Sequence, residues 1–246
     1  LLEPLQELHK DEVRELGRSL GLPKEMVLRQ PFPGPGLLIR IIGADTEYMP
    51  LPKDVHEGMD QFGTISINAT LLPVMSVGVQ GDERSYKPVV GLSGEKNWSR
   101  LFKLAEEIPE KEKGVNRVVY VFGDRLPESG LTSRTITIPS HEVPQEQIAD
   151  DIVNQVLLKY DLLEKLTQVP VILTGVNFGE KGKRSVVIRT FITDDFYTGV
   201  PAIPGTEYMP EEALFEMVNR IMEEVPGISR VMYDLTSKPP GTTEWE

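Results

Sequence analysis

Apolar positions near the start of the chain keep to one broad face. Leu5, Leu8, Val13, Leu16 and Leu20 recur at spacings of three to five residues, the mark of an amphipathic helix. Gly21 and Pro23 supply a stop, so a helix is predicted over residues 4–20. A second short helical piece over 24–29 ends at PFPGPG (31–36), where three prolines and two glycines exclude regular structure. This hexapeptide is read as a stiff linker and a domain boundary.

Beyond it the pattern repeats. PVMSVGVQGDERSYKPVV (73–90) aligns with PVILTGVNFGEKGKRSVV (170–187) at an offset of 97, and GVNRVVY (114–120) aligns with GISRVMY (227–233) at an offset of 113. One 16-residue insertion in the Gly/Pro-rich stretch 198–210 accounts for both offsets, which marks an internal duplication. Each copy reads strand, helix, strand, strand, helix, strand. The first strands are placed at 37–43 and 133–138. The first helix is clear in copy two, where Ile148, Ile152, Val156 and Leu163 keep near-helical spacing. In copy one the equivalent stretch, 48–68, is broken by Pro and Gly and predicts a poor helix. Two strands then flank a Gly-rich turn, followed by a second helix and a β-branched strand (115–122; 228–235). The expected fold is α+β: two tandem β-α-β-β-α-β (split ferredoxin-like) modules with antiparallel sheets, preceded by a short helical segment. The domains expected are 1–30, a linker at 31–36, copy one at 37–130 and copy two at 131–246.

Composition narrows the function classes. The 246 residues include 21 Gly and 20 Pro, about 17% together against roughly 12% on average. The repeat explains the excess as turns between many short elements. No cysteine is present, which removes disulfides, thiolate metal sites and cysteine nucleophiles. No apolar run approaches the ~18 residues of a membrane span, no signal peptide is visible, and a cytoplasmic location is expected. With no initiator Met, the chain is expected to be part of a longer polypeptide. A net charge of −12 argues against a general nucleic-acid or anionic-membrane binder. The element order is also that of RNA-recognition domains, which need strand aromatics and a basic surface. The strand YKPVVGLSG has no ring after Tyr86 and the chain is acidic, so RNA binding is not expected.

Candidate chemistry is confined to two segments. His9, His56 and His141 are isolated and are assigned surface or capping roles. No nucleophile elbow or phosphate-binding glycine loop occurs, and no stand-alone catalytic site is visible. In VGVQGDERSYK (77–87), Gly78 and Gly81 allow close backbone approach beside Asp82, Arg84 and Lys87. Two readings stand there: a solvated hairpin turn, or a ligand loop in which a carboxylate meets a hydroxyl and a guanidinium meets a phosphate. In SKPPGTTEWE (237–246), Lys238 leaves a strand, two prolines stiffen the exit and Trp245 sits near the end. A docked tail is expected rather than a frayed one.

EPLQELHKDEVRELGRSLGLP, PFPGPGLLIR, SVGVQGDERSY and GISRVMYDLTSKPPGTTEWE closely resemble the C-terminal part of glutamine-hydrolysing GMP synthases, in the longer, eukaryotic-type form with a duplicated module. The resemblance implies that residues 1–30 end an ATP-pyrophosphatase domain and that the rest is the dimerisation region. It implies activation of the C2 oxygen of xanthosine monophosphate by ATP and Mg²⁺, both bound by the upstream domain, with release of pyrophosphate. Ammonia from a separate glutaminase domain then displaces AMP and yields GMP. The glutaminase cysteine and the pyrophosphate loop are not in this sequence, so the chain alone is expected to be inactive. Its implied task is binding xanthosine monophosphate, with no catalytic residue and no metal ligand of its own. By resemblance the nucleotide contacts fall on Asp82, Gln168, Lys238 and Glu244, with Arg84 as an added phosphate partner. Two tandem copies are expected to form an internal pseudo-dimer, leaving a monomer, with a homodimer as the alternative.

Overall fold

The computed structural model describes residues 2–30, 36–42, 55, 58–127, 131–133, 142–179, 184–193, 195 and 197–246. In chain order its strands are β1 (Ile41–Ile42), β2 (Ile67–Gln80), β3 (Glu83–Gly94), β4 (Arg117–Val121), β5 (Thr132–Ser133), β6 (Val171–Thr174), β7 (Val176–Asn177), β8 (Arg184–Ile188) and β9 (Ile228–Asp234). Its helices are α1 (Lys10–Ser19), α2 (Lys24–Val27), α3 (Trp98–Lys111), α4 (Glu142–Lys159) and α5 (Glu211–Glu224). None of the described helices is long and apolar enough to cross a membrane.

The most apolar short runs form the centre of the sheet. β4 and β9 are buried at every position, because their β-branched and aromatic side chains fit a pleated surface covered on both faces. Seven strands lie in the order β1-β6-β8-β9-β4-β3-β2, and β5 pairs separately with β7. Each half uses the same connection. A long hairpin, β2·β3, is followed by α3 and a strand β4 parallel to β3; the hairpin β6·β8 is followed by α5 and a strand β9 parallel to β8. The halves join through β4·β9, which run antiparallel with Tyr120 opposite Tyr233. These two tyrosines are matching positions of the sequence repeat. Trp98 closes the junction, its ring 5.3 Å from Tyr120 and 6.2 Å from Tyr233, while its indole N–H donates to Glu211 across the halves at 2.8 Å.

The architecture is α+β as expected, but the sheet corrects the finer picture of two antiparallel sheets. Among the described residues, seven strands drawn from both copies share one mixed sheet. A helical crossover returns the chain in its original direction, so the strands on either side of α3 and of α5 are parallel. Of the expected first strand of copy one, 37–40 lie in a short helical turn and Ile41 and Ile42 pair with β6 in the other half, while residue 43 lies outside the described residues. Of 133–138 only Ser133 lies among the described residues, as do only 55 and 58–68 of 48–68 and only Gly36 of the linker. His56 and His141 also lie outside them. His9 precedes α1, where its backbone N–H donates to Glu12 at 2.7 Å.

Strand periodicity divides the interior into two layers. Val118 and Tyr120 face Leu101, Ile108, Leu214 and Met217 of the helices. Val119, Val121, Ile172, Val187 and Met232 face the other way and are covered by Trp245 and Phe178. Part of the second face is thus covered from within the chain, by Trp245 of the C-terminal segment together with Phe178.

Candidate functional site

The C-terminal segment docks along the outer edge of β2. Val79 N–H donates to Pro240 O at 2.7 Å and Val77 N–H to Trp245 O at 2.8 Å, with an antiparallel bridge between Gly78 and Gly241. An otherwise open strand edge is paired in this way. Glycine is required at position 78, since a Cβ there would lie 2.6 Å from Pro240 O and 2.7 Å from the Asn116 amide nitrogen. Three residues on, β2 turns into β3 through the two-residue loop Gly81–Asp82, with Gln80 opposite Glu83. Gly81 has φ +67°, the region that a tight hairpin assigns to glycine.

A buried ionic cluster bolts the tail in place. The Asp234 carboxylate Oδ2 accepts from Arg117 Nη1 at 2.7 Å and from the Trp245 indole N–H at 3.0 Å, and it forms an ion pair at 2.9 Å with Arg189 Nη1, which donates to Thr236 O at 2.9 Å. All four side chains are fully buried. Arg117 also donates through Nη2 to Val77 O, Thr242 O and Glu244 O at 3.0–3.3 Å, and its guanidinium lies 4.9 Å from the Trp245 ring centre. One side chain therefore grips both the sheet edge and the tail backbone. Burial pulls the Arg117 pKa down to about 10. The same burial pushes the Asp234 carboxyl up, but Arg189 and Arg117 together outweigh it and hold the group below the usual carboxylate range. Two guanidiniums share one carboxylate, and Arg189 Nε and Nη2 have no hydrogen-bond partner. The cluster carries excess positive charge at the base of the tail.

The five expected residues fall at three places along this tail. Asp82 and Arg84 are exposed at the hairpin tip, next to the point where Val79 meets Pro240. Lys238 is half-buried, exchanging backbone hydrogen bonds with Gly199 at 2.8 and 3.0 Å. Its ammonium lies 5.6 Å from the Phe191 ring centre, and the Arg189 guanidinium lies 5.8 Å from it. Burial, then the Arg189 charge, lowers the Lys238 pKa, leaving a poorly solvated cation suited to an anion. Gln168 and Glu244 meet at the far end, with Gln168 Nε2 3.5 Å from Glu244 Oε1. The structure does not bring Asp82 and Arg84 to this pair.

Residues unmarked by any sequence pattern complete that end. Arg40 donates through Nε and Nη2 to the two oxygens of Glu244 at 3.2 and 3.1 Å and lies 3.5 Å from Asp150. Arg40, Asp150 and Gln168, with Arg29, Gln30 and Asn154, line a cavity of about 170 Å³. A larger cavity of about 570 Å³ among Phe122, Phe215, Met222 and Arg230 is lined by none of the five. Among the described residues no group of three or more His, Asp or Glu side chains is placed to hold a metal ion.

Glu146, one helical turn before Asp150, is fully buried and both its oxygens lack a partner. Burial first, then the Asp150 charge, pushes its pKa up to about 8 from 4.5, against an opposing pull from Arg40. The folded state thus holds a proton that the unfolded state releases above pH ~4.5, so this group's contribution to stability is lost as pH rises toward 8. Glu146→Met is expected to stabilise the fold by roughly 1–3 kcal/mol at pH 8 and to flatten this slope. Urea unfolding at pH 5.5 and 8 measures it; a variant no more stable than wild type at pH 8 contradicts the account.

Residues 151–245 match the family model described as GMP synthase C terminal domain. Over its whole length the chain is 42% identical to the glutamine-hydrolysing GMP synthase of Dictyostelium discoideum, covering 40% of that protein. It is 39% identical to a probable GMP synthase of Caenorhabditis elegans, covering 42% of it. It is 34% identical to a probable GMP synthase of Leptospira interrogans, covering 40% of it. The chain spans about two fifths of the length of these relatives. The chain is thus similar along its whole length to part of glutamine-hydrolysing GMP synthases, and its residues 151–245 match the GMP synthase C terminal domain.

Proposed function

We propose that this chain is the C-terminal part of a glutamine-hydrolysing GMP synthase and that its task is to hold xanthosine monophosphate for ATP-dependent amination to GMP. The observation that carries this reading is the bolted tail. Arg117, Asp234 and Trp245 fix residues 238–245 against β2, so that Lys238 and Glu244 are presented from a rigid support at either end. A nucleotide monophosphate carries nearly two negative charges, and Lys238 and Arg84 supply cations for it in an otherwise acidic protein. Glu244 and Gln168, with Asp82 at the hairpin tip, offer acceptors and donors for ribose hydroxyls and the base. ATP and Mg²⁺ are assigned to an ATP-pyrophosphatase domain and ammonia production to a glutaminase domain, both upstream in the same polypeptide. The chain alone is inactive on this reading.

The same proposal divides the chain into the end of that upstream domain (1–30), a linker (31–36) and two copies of one module (37–130 and 131–246). Matching connections in the two halves support it, as does the pairing of Tyr120 with Tyr233. A two-fold contact places the residue on its axis opposite its own equivalent and pairs the flanking residues reciprocally, as Val119 with Asp234 and Val121 with Met232, so the tandem copies form a pseudo-dimer inside one cytoplasmic monomer. Sedimentation of the complete protein as a stable dimer contradicts this.

Lys238→Ala is expected to weaken xanthosine monophosphate binding roughly 10- to 100-fold, the value of one charge-assisted hydrogen bond. The melting temperature is expected to stay within a few degrees, because the side chain is only partly buried. Titration calorimetry of the complete protein reads the affinity. An unchanged affinity favours the second reading, a pairing module without nucleotide contacts.

A further inference from the structure

We infer that Arg40 is the positioning residue for Glu244, and that through it the segment entering β1 sets how the tail meets the nucleotide. The inference rests on the proposed contact between Glu244 and xanthosine monophosphate. Arg40 and Glu244 are 204 residues apart in sequence, yet they form a two-point bond in which each carboxylate oxygen receives its own N–H. Such a fork fixes the plane of the carboxylate as well as its place. It also leaves acceptor capacity on both oxygens, and Gln168 Nε2 already points at one of them. The bond is sheltered, with the Arg40 side chain 4% exposed and that of Glu244 17%.

Arg40 itself is held from two sides. It ends the short turn Gly36–Arg40, and the next residue, Ile41, is paired to Leu173 of β6. Asp150 of α4 lies against its third nitrogen at 3.5 Å. Glu146, on the same face of α4 one turn earlier, does not compete for the guanidinium as an anion, because it is buried without hydrogen bonds. Among these three carboxyl groups the fork is therefore spent on Glu244. A lysine at position 40 keeps the charge but cannot span both oxygens.

The test uses the complete protein with Trp98 and every upstream tryptophan replaced by phenylalanine, so that the emission of Trp245 alone reports tail docking. Arg40→Lys, Glu244→Gln and the double variant are titrated with xanthosine monophosphate. Each single variant is expected to lose about tenfold in affinity. The double variant is expected to lose no more than Glu244→Gln alone, as for residues acting as one. Trp245 emission should stay that of a buried indole throughout. Wild-type affinity in Arg40→Lys with a weakened Glu244→Gln overturns the inference alone, as do multiplying losses in the double variant. Red-shifted emission in Arg40→Lys overturns it as well, since Arg40 then merely clamps the tail. Wild-type affinity in Glu244→Gln overturns the nucleotide contact on which the inference rests.

Discussion

Asp234→Ala is expected to cost about 3–5 kcal/mol of folding stability, the range for breaking a buried ion pair by removing one partner. That is a large share of the 5–15 kcal/mol that holds a domain together, and a melting point roughly 10 °C lower is expected for a chain of this size. The reason is geometric. A single oxygen, Asp234 Oδ2, accepts from Arg117 and the Trp245 indole and balances the charge of Arg189, so its removal leaves two buried cations uncompensated and one buried donor unpaired. Asp234→Asn keeps the shape but loses the charge, and is expected to fall between alanine and wild type. Because the Asp234 pKa lies below its ordinary value, its contribution is present above pH ~4 and fades as pH falls through the lower folded value. Thermal and urea melts of both variants measure this, and a loss under about 1 kcal/mol for alanine contradicts it.

Trp245→Ala is expected to release the tail. A buried tryptophan truncated to alanine costs about 3–5 kcal/mol where the structure cannot relax. Here the tail can lift away, so the cost is limited to the free energy of docking. The expected signature is a moderate fall in stability together with new protease cleavage within 237–246. The N–H groups of Val77 and Val79 lose their tail partners and should exchange faster. On the proposed function nucleotide binding is lost as well, since Lys238 and Glu244 no longer share a fixed support. Trp245→Phe keeps most of the packing but not the bond to Asp234, and is expected to cost about 1 kcal/mol. A tail that stays protected in the alanine variant shows that the backbone pairing to β2 suffices without the indole.

What was legible in the sequence follows from locality. The helices could be read because their apolar faces recur within a few residues, and the duplication because matching strands carry the same short strings. VVYVF pointed to a strand, and its unbroken apolar run is that of a strand covered on both faces. The topology was not legible. That β4 pairs with β9 as well as with β3 depends on contacts more than a hundred residues apart, and so does the exchange that places β1 beside β6. The tail motif was conspicuous by composition and docks as its stiffness suggested. Its partners were not conspicuous. Arg40 stands in an ordinary GLLIR string, and nothing near it announces Glu244. Arg117 and Asp234 did leave one signal, a charge directly bordering the apolar runs VVYV and VMY, which a buried sheet tolerates only when paired.

Hydrogen exchange in the complete protein, with and without saturating xanthosine monophosphate, tests the central claim most directly. The account predicts that amides of the hairpin tip (78–87) and of the tail (237–246) slow together on nucleotide binding. Exchange unchanged in both segments at saturation would contradict it and leave this chain as a pairing module alone.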